Sequence, residues 1–322
     1  MYLHSNGGLA RRAFLQRAGQ LGLAGVAVPW ALNLAALGEA AAFTATDYKA
    51  LVCVFLYGGN DYGNTLVPFD NANYARYAAI RTGIATPQAS LAATLLNPTT
   101  ALPNGMQLAM APELAKLLPI FDAGKLAVQL NVGPLIMPTT LAQYNAKSVP
   151  LPPKLFSHND QQSVWQSSSP EGSTTGWGGK MGDLALSNNA SSVFSCISVT
   201  GNAVYLAGQT AVQYQVSTSG AVPVSGVKNG LYGSSTCGAA LNTLITQGST
   251  QVLENEYAKV TSRSISSEAQ VTSALAAVPA MTTTFTAGNS LAAQLQTVAK
   301  LIAARNALGA KRQVFMVSMG GF

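Results

Sequence analysis

Two short segments carry the residues that could do chemistry. Asn60, Asp61 and Asn64 follow an apolar run that ends at a Gly-Gly pair, and Ser157 and His158 lie together in a polar loop. A carboxylate and amide oxygens are hard donors that suit a divalent metal ion. A serine hydroxyl is a candidate nucleophile or metal-bound hydroxyl, and a histidine can bind a metal or transfer a proton. Such a set suits metal-assisted hydrolysis, which needs a metal-activated nucleophile and positive charge near the breaking bond.

Each of these residues also has a simpler interpretation. Gly-Gly-Asn-Asp is what a tight βα loop or a helix N-cap requires, so Asp61 is either a site residue or a turn residue, and Ser157 is equally open. His158 is the one histidine after residue 42, and a lone histidine is more often a surface residue than a ligand. One histidine cannot build a two-metal centre, so these 322 residues are not expected to be a competent metallohydrolase.

The elements around these segments predict an α/β fold with a mostly parallel central sheet flanked by helices. An apolar strand at 51–57, a helix at 112–123 and a strand at 126–132 follow one another, and this order favours a parallel sheet. Residues 203–227 predict a small β-hairpin excursion. The remaining predictions are a strand at 193–199, a helix at 160–166 with Asp160 as its cap, long helices at 250–277 and 290–308 separated by a loop at 278–288, and a strand at 314–317.

The first and last predicted strands end alike. The run 52–57 leads into Gly58-Gly59, and the run 314–319 leads into Gly320-Gly321. In parallel sheets ligands bind beyond the carboxyl ends of strands, where glycines let the backbone approach the ligand. Asp61 occupies this place after the first strand, whereas the sequence stops one residue short of the equivalent place after the last. We therefore expect the C-terminal part of the fold to be missing.

Composition limits the class of protein. With 322 residues, 48% hydrophobic and 9% charged, the chain can bury one large core, and we expect a single domain over residues 43–322. Its net charge is +6, and after residue 42 fifteen basic residues stand against eleven acidic ones. No basic run is interleaved with aromatic residues, so nucleic acid is not an expected partner.

Residues 1–42 predict an export signal. Arg11 and Arg12 precede Phe14-Leu15, a moderately apolar Ala/Gly-rich stretch follows, and Ala40-Ala41-Ala42 forms a small-residue cleavage pattern. The segment resembles a twin-arginine (Tat) signal, which implies the Tat machinery as a partner and a periplasmic or extracellular location. A membrane anchor is the alternative, but Pro29 and Asn33 weaken the stretch as a spanning helix. After cleavage no stable membrane span is expected.

Four motifs together resemble one family. They are Tyr57 to Pro68, Phe156 to Asp160, Gly176 to Lys180 and Gln313 to Phe322. In this order they resemble the Tat-exported bacterial family known as domain of unknown function 1501, which looks like a distant branch of the alkaline phosphatase and sulfatase superfamily. The resemblance implies an α/β sandwich, a divalent metal with Asp61 as its first-strand ligand, and Ser157 in the nucleophile region. In such relatives Asp-Thr-His follows the closing strand.

Two functions from different classes are therefore open. The first is an exported metal-dependent hydrolase of a small phosphate or sulfate ester, inactive as these 322 residues. The second is an exported binding or assembly protein that keeps a degenerate hydrolase fold.

Overall fold

The computed structural model of the protein describes residues 46–321. The segment interpreted as an export signal lies outside these residues. No helix between residues 46 and 321 combines the length and the apolar character needed to cross a membrane. The described chain divides into two compact units, a larger one of residues 46–57 and 134–321 and a smaller one of residues 58–133.

The larger unit is built on a mostly parallel sheet. The strands are β1 (Lys49–Leu56), β4 (Cys196–Ser198), β5 (Tyr214–Ser217), β6 (Gly220–Ala221) and β7 (Arg312–Met319). They lie in the order β1, β7, β4, β5, β6, and the pairs β1/β7, β7/β4 and β4/β5 are parallel while β5/β6 is an antiparallel hairpin. The predicted α/β class, the parallel sheet and the small hairpin are confirmed. The hairpin extends the sheet, because β5 pairs with β4.

Strand β7 is buried along almost its whole length. Its side chains alternate between two apolar clusters, with Phe315 and Val317 in one and Val314 and Met316 in the other, as expected of a strand covered on both faces. The helices that flank the sheet are α7 (Trp177–Ala185), α10 (Val252–Ala276) and α11 (Ser290–Ala303). Each fully buried apolar side chain of this size stabilises the fold by about 1.5–3 kcal/mol.

Strand β1 is covered less completely than its sequence predicts. Leu51, Cys53 and Phe55 pack against one of the clusters, but Val54 and Leu56 are 44% and 43% exposed. Within the described residues β1 pairs on one side, with β7. In the register of this pair Leu51 lies opposite Val314. The alignment that superposes the two Gly-Gly pairs places Val52 on Val314 instead, so the register and the alignment differ by one residue.

The other predicted elements of the larger unit are mostly confirmed. The two long predicted helices form as α10 and α11, and the predicted loop between them contains neither helix nor strand. The predicted strand at 193–199 is shorter, because a 3₁₀-helix at Ser192–Phe194 precedes β4. Further helices of this unit are α5 (Leu141–Ala146), α6 (His158–Ser167), α8 (Ser225–Lys228) and α9 (Ser235–Thr246).

The predicted strand at 126–132 is wrong. These residues form neither a helix nor a strand, and Val128 and Leu130 are 41% and 50% exposed. An apolar run of strand length becomes a strand only where a neighbouring strand accepts its hydrogen bonds. The neighbour of β1 is β7, which comes from the far end of the sequence. Of the two strands on which the parallel sheet was predicted, the one at 51–57 is therefore part of the sheet as β1, and its parallel neighbour is β7 in place of residues 126–132.

The smaller unit combines short helices with a two-stranded antiparallel sheet. Val67, Tyr77, Leu91 and Ala109 form one of its apolar clusters. Its elements are α1 (Tyr62–Thr65), β2 (Leu66–Pro68), α2 (Asn71–Arg81), α3 (Gln88–Leu91), β3 (Leu108–Met110) and α4 (Leu118–Asp122). The helix predicted at 112–123 forms as a 3₁₀-helix followed by α4. The change occurs where Pro119 lacks the N–H that a continuous α-helix needs.

Candidate functional site

The candidate metal residues lie at the start of the smaller unit, directly after β1 in the chain. Asp61 precedes helix α1 at its N-cap position, but its side chain makes no capping hydrogen bond. Its carbonyl oxygen instead accepts from the N–H of Asn64 at 3.1 Å and from the Thr65 hydroxyl at 3.2 Å. The backbone of the segment therefore forms a tight turn, while the Asp61 carboxylate is left for another partner.

That partner is Arg81, the last residue of helix α2. The Arg81 guanidinium donates from Nη2 to the Asp61 carboxylate and forms an ion pair with it. The two side chains are 23% and 43% exposed, respectively, so solvent screens the pair only in part. The carboxylate expected to meet a metal ion is already neutralised by a cation of the protein.

Asn64 is held within the same unit. Its Oδ1 accepts a hydrogen bond from the Tyr77 hydroxyl, and its Nδ2 donates to the carbonyl oxygen of Ile84 at 2.9 Å. Asn60 is exposed, and its carbonyl oxygen accepts from the N–H of Tyr62 at 3.0 Å. Of the three predicted metal ligands, only Asp61 has a charged oxygen donor.

This donor set is not a closed metal centre by itself. Divalent cations take several oxygen or nitrogen ligands, commonly with more than one carboxylate or histidine. Between residues 46 and 321 no three His, Cys, Asp or Glu side chains are grouped so that they could hold a metal ion. A cation at Asp61 would need ligands besides Asn60 and Asn64, and it would have to compete with Arg81.

Ser157 is the N-cap of helix α6 in the larger unit. Its hydroxyl donates to the Asp160 carboxylate at 2.6 Å and accepts from the Asp160 N–H at 3.4 Å. Asp160 was predicted to cap this helix, but the cap is Ser157, and Asp160 lies three residues later. Ser157 therefore has a structural role in which both its donor and its acceptor are used.

The electrostatics of Asp160 do not make Ser157 an activated nucleophile. The Ser157 hydroxyl holds the pKa of Asp160 below its ordinary range, against the opposing effect of burial, with help from the Glu171 N–H and from Lys154. A general base works best when its pKa lies near the working pH. Asp160 is therefore a weak base for the hydroxyl that it binds. His158 is exposed at the first residue of the helix.

The two groups of predicted site residues thus belong to different units. Asn60, Asp61 and Asn64 lie in the smaller unit, and Ser157 and His158 lie in the larger one. Sequence reasoning missed Arg81, since nothing in its own neighbourhood marks it as a partner of Asp61. A sequence signal did exist for Ser157, because serine followed three residues later by an acidic residue is typical of a helix start.

The motif Gly176 to Lys180 has a packing explanation. A Cβ atom at Gly176 or Gly179 would lie within 2.4 Å of backbone atoms of residues 204–208, so the glycines let helix α7 approach that segment. Trp177 stacks edge-on against Tyr205 with ring centroids 4.5 Å apart, and its Nε1 donates to the carbonyl oxygen of Trp165 at 3.0 Å. Through these contacts α6, α7 and residues 204–206 pack against one another.

Further polar side chains lie at the carboxyl ends of the strands and bind one another. The hydroxyls of Ser318 and Thr200 share a hydrogen bond. Gln294 of helix α11 donates to the Ser318 carbonyl and accepts from the Ser318 N–H, both at 2.9 Å. The Gln294 amide thereby satisfies both backbone groups of Ser318 near the end of β7.

Comparisons of the chain with protein-family models, with curated proteins and with solved structures found no match.

Proposed function

We propose that this chain is an exported protein built like the metal-dependent hydrolases of phosphate and sulfate esters. In this proposal Asp61 is the residue that meets a divalent cation, and the 322 residues alone do not turn over an ester. The observation that carries the proposal is the position of Asp61, which follows the first strand of a parallel sheet and keeps its carboxylate out of the turn that its backbone forms. Ligand sites of parallel sheets lie beyond such strand ends.

The chemistry of the surrounding residues supports the second part of the proposal. A bound cation would supply charge stabilisation and lower the pKa of a nucleophile. Asp61 offers one charged donor, and its charge is balanced by Arg81. Ser157 caps a helix, and its carboxylate partner has a lowered pKa. The candidate substrate remains a small phosphate or sulfate ester, and the proposed location is the periplasm or the exterior, reached by the Tat machinery.

The experiment measures cation binding and ester hydrolysis on the same preparation. Binding of Mn²⁺ to the full chain is followed by electron paramagnetic resonance of the free ion, in parallel with hydrolysis of 4-nitrophenyl phosphate and 4-nitrophenyl sulfate. We expect weak Mn²⁺ binding that Asp61→Asn removes and no hydrolysis above the rate with Mn²⁺ alone. Hydrolysis that Ser157→Ala abolishes, while circular dichroism shows the variant to be folded, would show instead that these 322 residues form an enzyme with Ser157 as its nucleophile.

One observation favours a second candidate, an exported binding or assembly protein without catalysis. The side chains of Asp61, Asn64 and Ser157 all have partners inside the protein, as expected of residues kept for structure. In that case Mn²⁺ does not bind to the wild-type chain, and Asp61→Asn lowers stability without affecting any cation. The same titration therefore separates the two candidates.

A further inference from the structure

A cavity of the larger unit lies between helix α10 and the start of strand β5, and it contains none of the residues proposed for ester hydrolysis. Its volume is about 480 Å³, and small-molecule sites span roughly 300–1,000 Å³. Residues 210–215 form one part of its wall. Helix α10 contributes Val260, Arg263, Ser264 and Ser267. Their spacing of three and four residues places these four side chains on one face of the helix.

Three of the residues that line this cavity are valines that solvent reaches. Val212, Val222 and Val260 are 71%, 55% and 46% exposed. Tyr214 lines the same cavity, and its ring is held edge-on against buried Phe194 with the centroids 5.4 Å apart. Single exposed valines are ordinary on a protein surface, whereas several around one cavity indicate a site for an apolar group. The cavity therefore suits a ligand with an apolar body.

A serine that lines the cavity is buried without a hydrogen bond. Ser267 is 6% exposed, and within residues 46–321 its hydroxyl is bonded to no other residue. Every other buried serine or threonine of the described chain has a hydrogen bond through its hydroxyl, namely Thr94, Ser167, Ser195, Ser198, Thr297 and Ser318. Burial of a hydroxyl without a partner costs stability. Ser267 therefore needs a partner that the described chain does not supply.

Arg263 carries the only charge in the lining of the cavity. Its side chain is exposed, and in the described part of the chain its guanidinium has neither an ion pair nor a hydrogen bond. Arg263 lies four residues before Ser267, one turn away on the same face of α10. An unpaired cation and an unpartnered hydroxyl are thus neighbours in one cavity.

The carboxylates that border the cavity do not compensate this charge. Glu268 follows Ser267 in the helix and forms an ion pair with Lys228. Asp183 accepts hydrogen bonds from the N–H groups of residues 209–211, two of which line the cavity. Both carboxylates are therefore bound elsewhere, and the cavity keeps a positive charge that attracts an anion.

We propose that this cavity binds a small monocarboxylate with an apolar body. The ligand carboxylate pairs with Arg263 and accepts a hydrogen bond from the Ser267 hydroxyl, while the apolar body lies against the valines and Tyr214. A carboxylate fits both groups, because its two oxygens accept from an N–H and an O–H donor at the same time. Burial of the apolar body removes it from water and contributes to binding. The proposal is independent of the hydrolase function.

The test compares octanoate with octanol, which share an apolar chain and differ in charge. Isothermal titration calorimetry of the full chain measures the dissociation constant of each. We expect octanoate to bind about tenfold more tightly than octanol, as for one charge-assisted hydrogen bond that is partly exposed to solvent. Arg263→Gln should remove this difference without changing the affinity for octanol. Lys259→Gln is the matched control, because Lys259 is an exposed cation of the same helix outside the cavity lining.

Ser267→Ala distinguishes a role in binding from a role in the fold. This change removes the hydroxyl without removing a hydrogen bond of the described protein. We expect it to weaken octanoate binding about fivefold. The urea midpoint of the ligand-free variant should be at or above that of wild type, since alanine is the better helix former. A lower midpoint with unchanged affinity for octanoate would assign the hydroxyl to the fold and overturn the proposal.

Circular dichroism establishes that each variant is folded, and Ser267→Ala keeps the test open if Arg263→Gln is not. Equal affinities of wild type for octanoate and octanol would overturn the proposal, since the cavity would then recognise the apolar chain alone. Equal weakening in Lys259→Gln would also overturn it, because net charge would explain the effect. Unchanged octanoate affinity in a folded Arg263→Gln protein, or no binding at millimolar octanoate, would overturn it as well.

Discussion

The hydroxyl of Ser157 donates to the carboxylate of Asp160 at 2.6 Å, and the Asp160 N–H donates back to the same hydroxyl. This reciprocal pair starts helix α6. We expect Ser157→Ala to lower the free energy of unfolding by about 1 kcal/mol, the usual loss for an N-cap, and Ser157→Thr to restore most of it. Urea unfolding measures both. The exposed Ser169→Ala is the control, and a Ser157→Ala protein as stable as this control would contradict the capping role.

Asp160 makes the protein sensitive to acid. Its pKa is lowered chiefly by the Ser157 hydroxyl, so folding favours the charged carboxylate. The resulting stability is present above the ordinary value of 3.8 and is lost as the pH falls through the lower pKa of the folded state. We expect Asp160→Asn to be less stable than wild type at pH 7 and the difference to shrink below about pH 4.

Urea midpoints between neutral and acidic pH measure this convergence. Glu256→Gln serves as the control, because Glu256 is exposed and pairs only weakly with Lys259 at 4.0 Å. If the urea midpoints of wild type and Asp160→Asn change in parallel over the whole pH range, the Asp160 charge does not contribute to the free energy of unfolding.

Gly179 is the position where helix α7 comes closest to the neighbouring backbone. A Cβ atom there would lie 2.1 Å from the carbonyl carbon and 2.2 Å from the carbonyl oxygen of Ala207, and backbone atoms cannot rotate away. We expect Gly179→Ala to destabilise the protein by about 2 kcal/mol or more, although alanine is the better helix former. In Gly248→Ala the nearest atom is 3.5 Å away, so that variant should unfold like wild type. Equal urea midpoints for the two variants would contradict the close packing.

Gln294 ties helix α11 to the end of β7. Because its amide satisfies both backbone groups of Ser318 in a buried setting, we expect Gln294→Ala to lower stability by about 1–3 kcal/mol. Hydrogen exchange of the Ser318 amide should also become faster than the change in global stability alone explains. Gln270→Ala is the control, since Gln270 makes an exposed contact of 3.5 Å to the carbonyl oxygen of Ala307. Slow exchange at Ser318 in Gln294→Ala would contradict the prediction.

The sequence predicts both β7 and β1 as strands, but it predicts the burial of β7 better than the burial of β1. Both are continuous apolar runs, and such a run indicates a strand without indicating its place in the sheet. Val54 and Leu56 are exposed because strand order, which depends on distant pairing, leaves β1 with one partner in the described chain. The failed strand at 126–132 shows the same limit. A run is a strand only if another segment pairs with it.

The candidate site shows a limit of a different kind. Residue types identified Asp61 and Ser157, but their hydrogen-bond partners decide what they do. Arg81 lies twenty positions from Asp61. Its approach depends on the length of α2 and on Gly63, where a Cβ atom would lie 2.8 Å from the Arg81 Nη1. No local pattern contains that information. The capping role of Ser157 is local, and the spacing to Asp160 already indicated it.

Strand β7 also has a consequence for biosynthesis. The Tyr48 hydroxyl donates to Gln313 across 265 positions of sequence, so the neighbour of β1 leaves the ribosome long after β1 itself. At roughly 5–20 residues per second, β1 waits about 13–50 s for its partner. During this interval its apolar side chains are available to chaperones and to other nascent chains. The synthesis of β7 therefore also sets the time at which β1 is paired and its apolar side chains are withdrawn from aggregation.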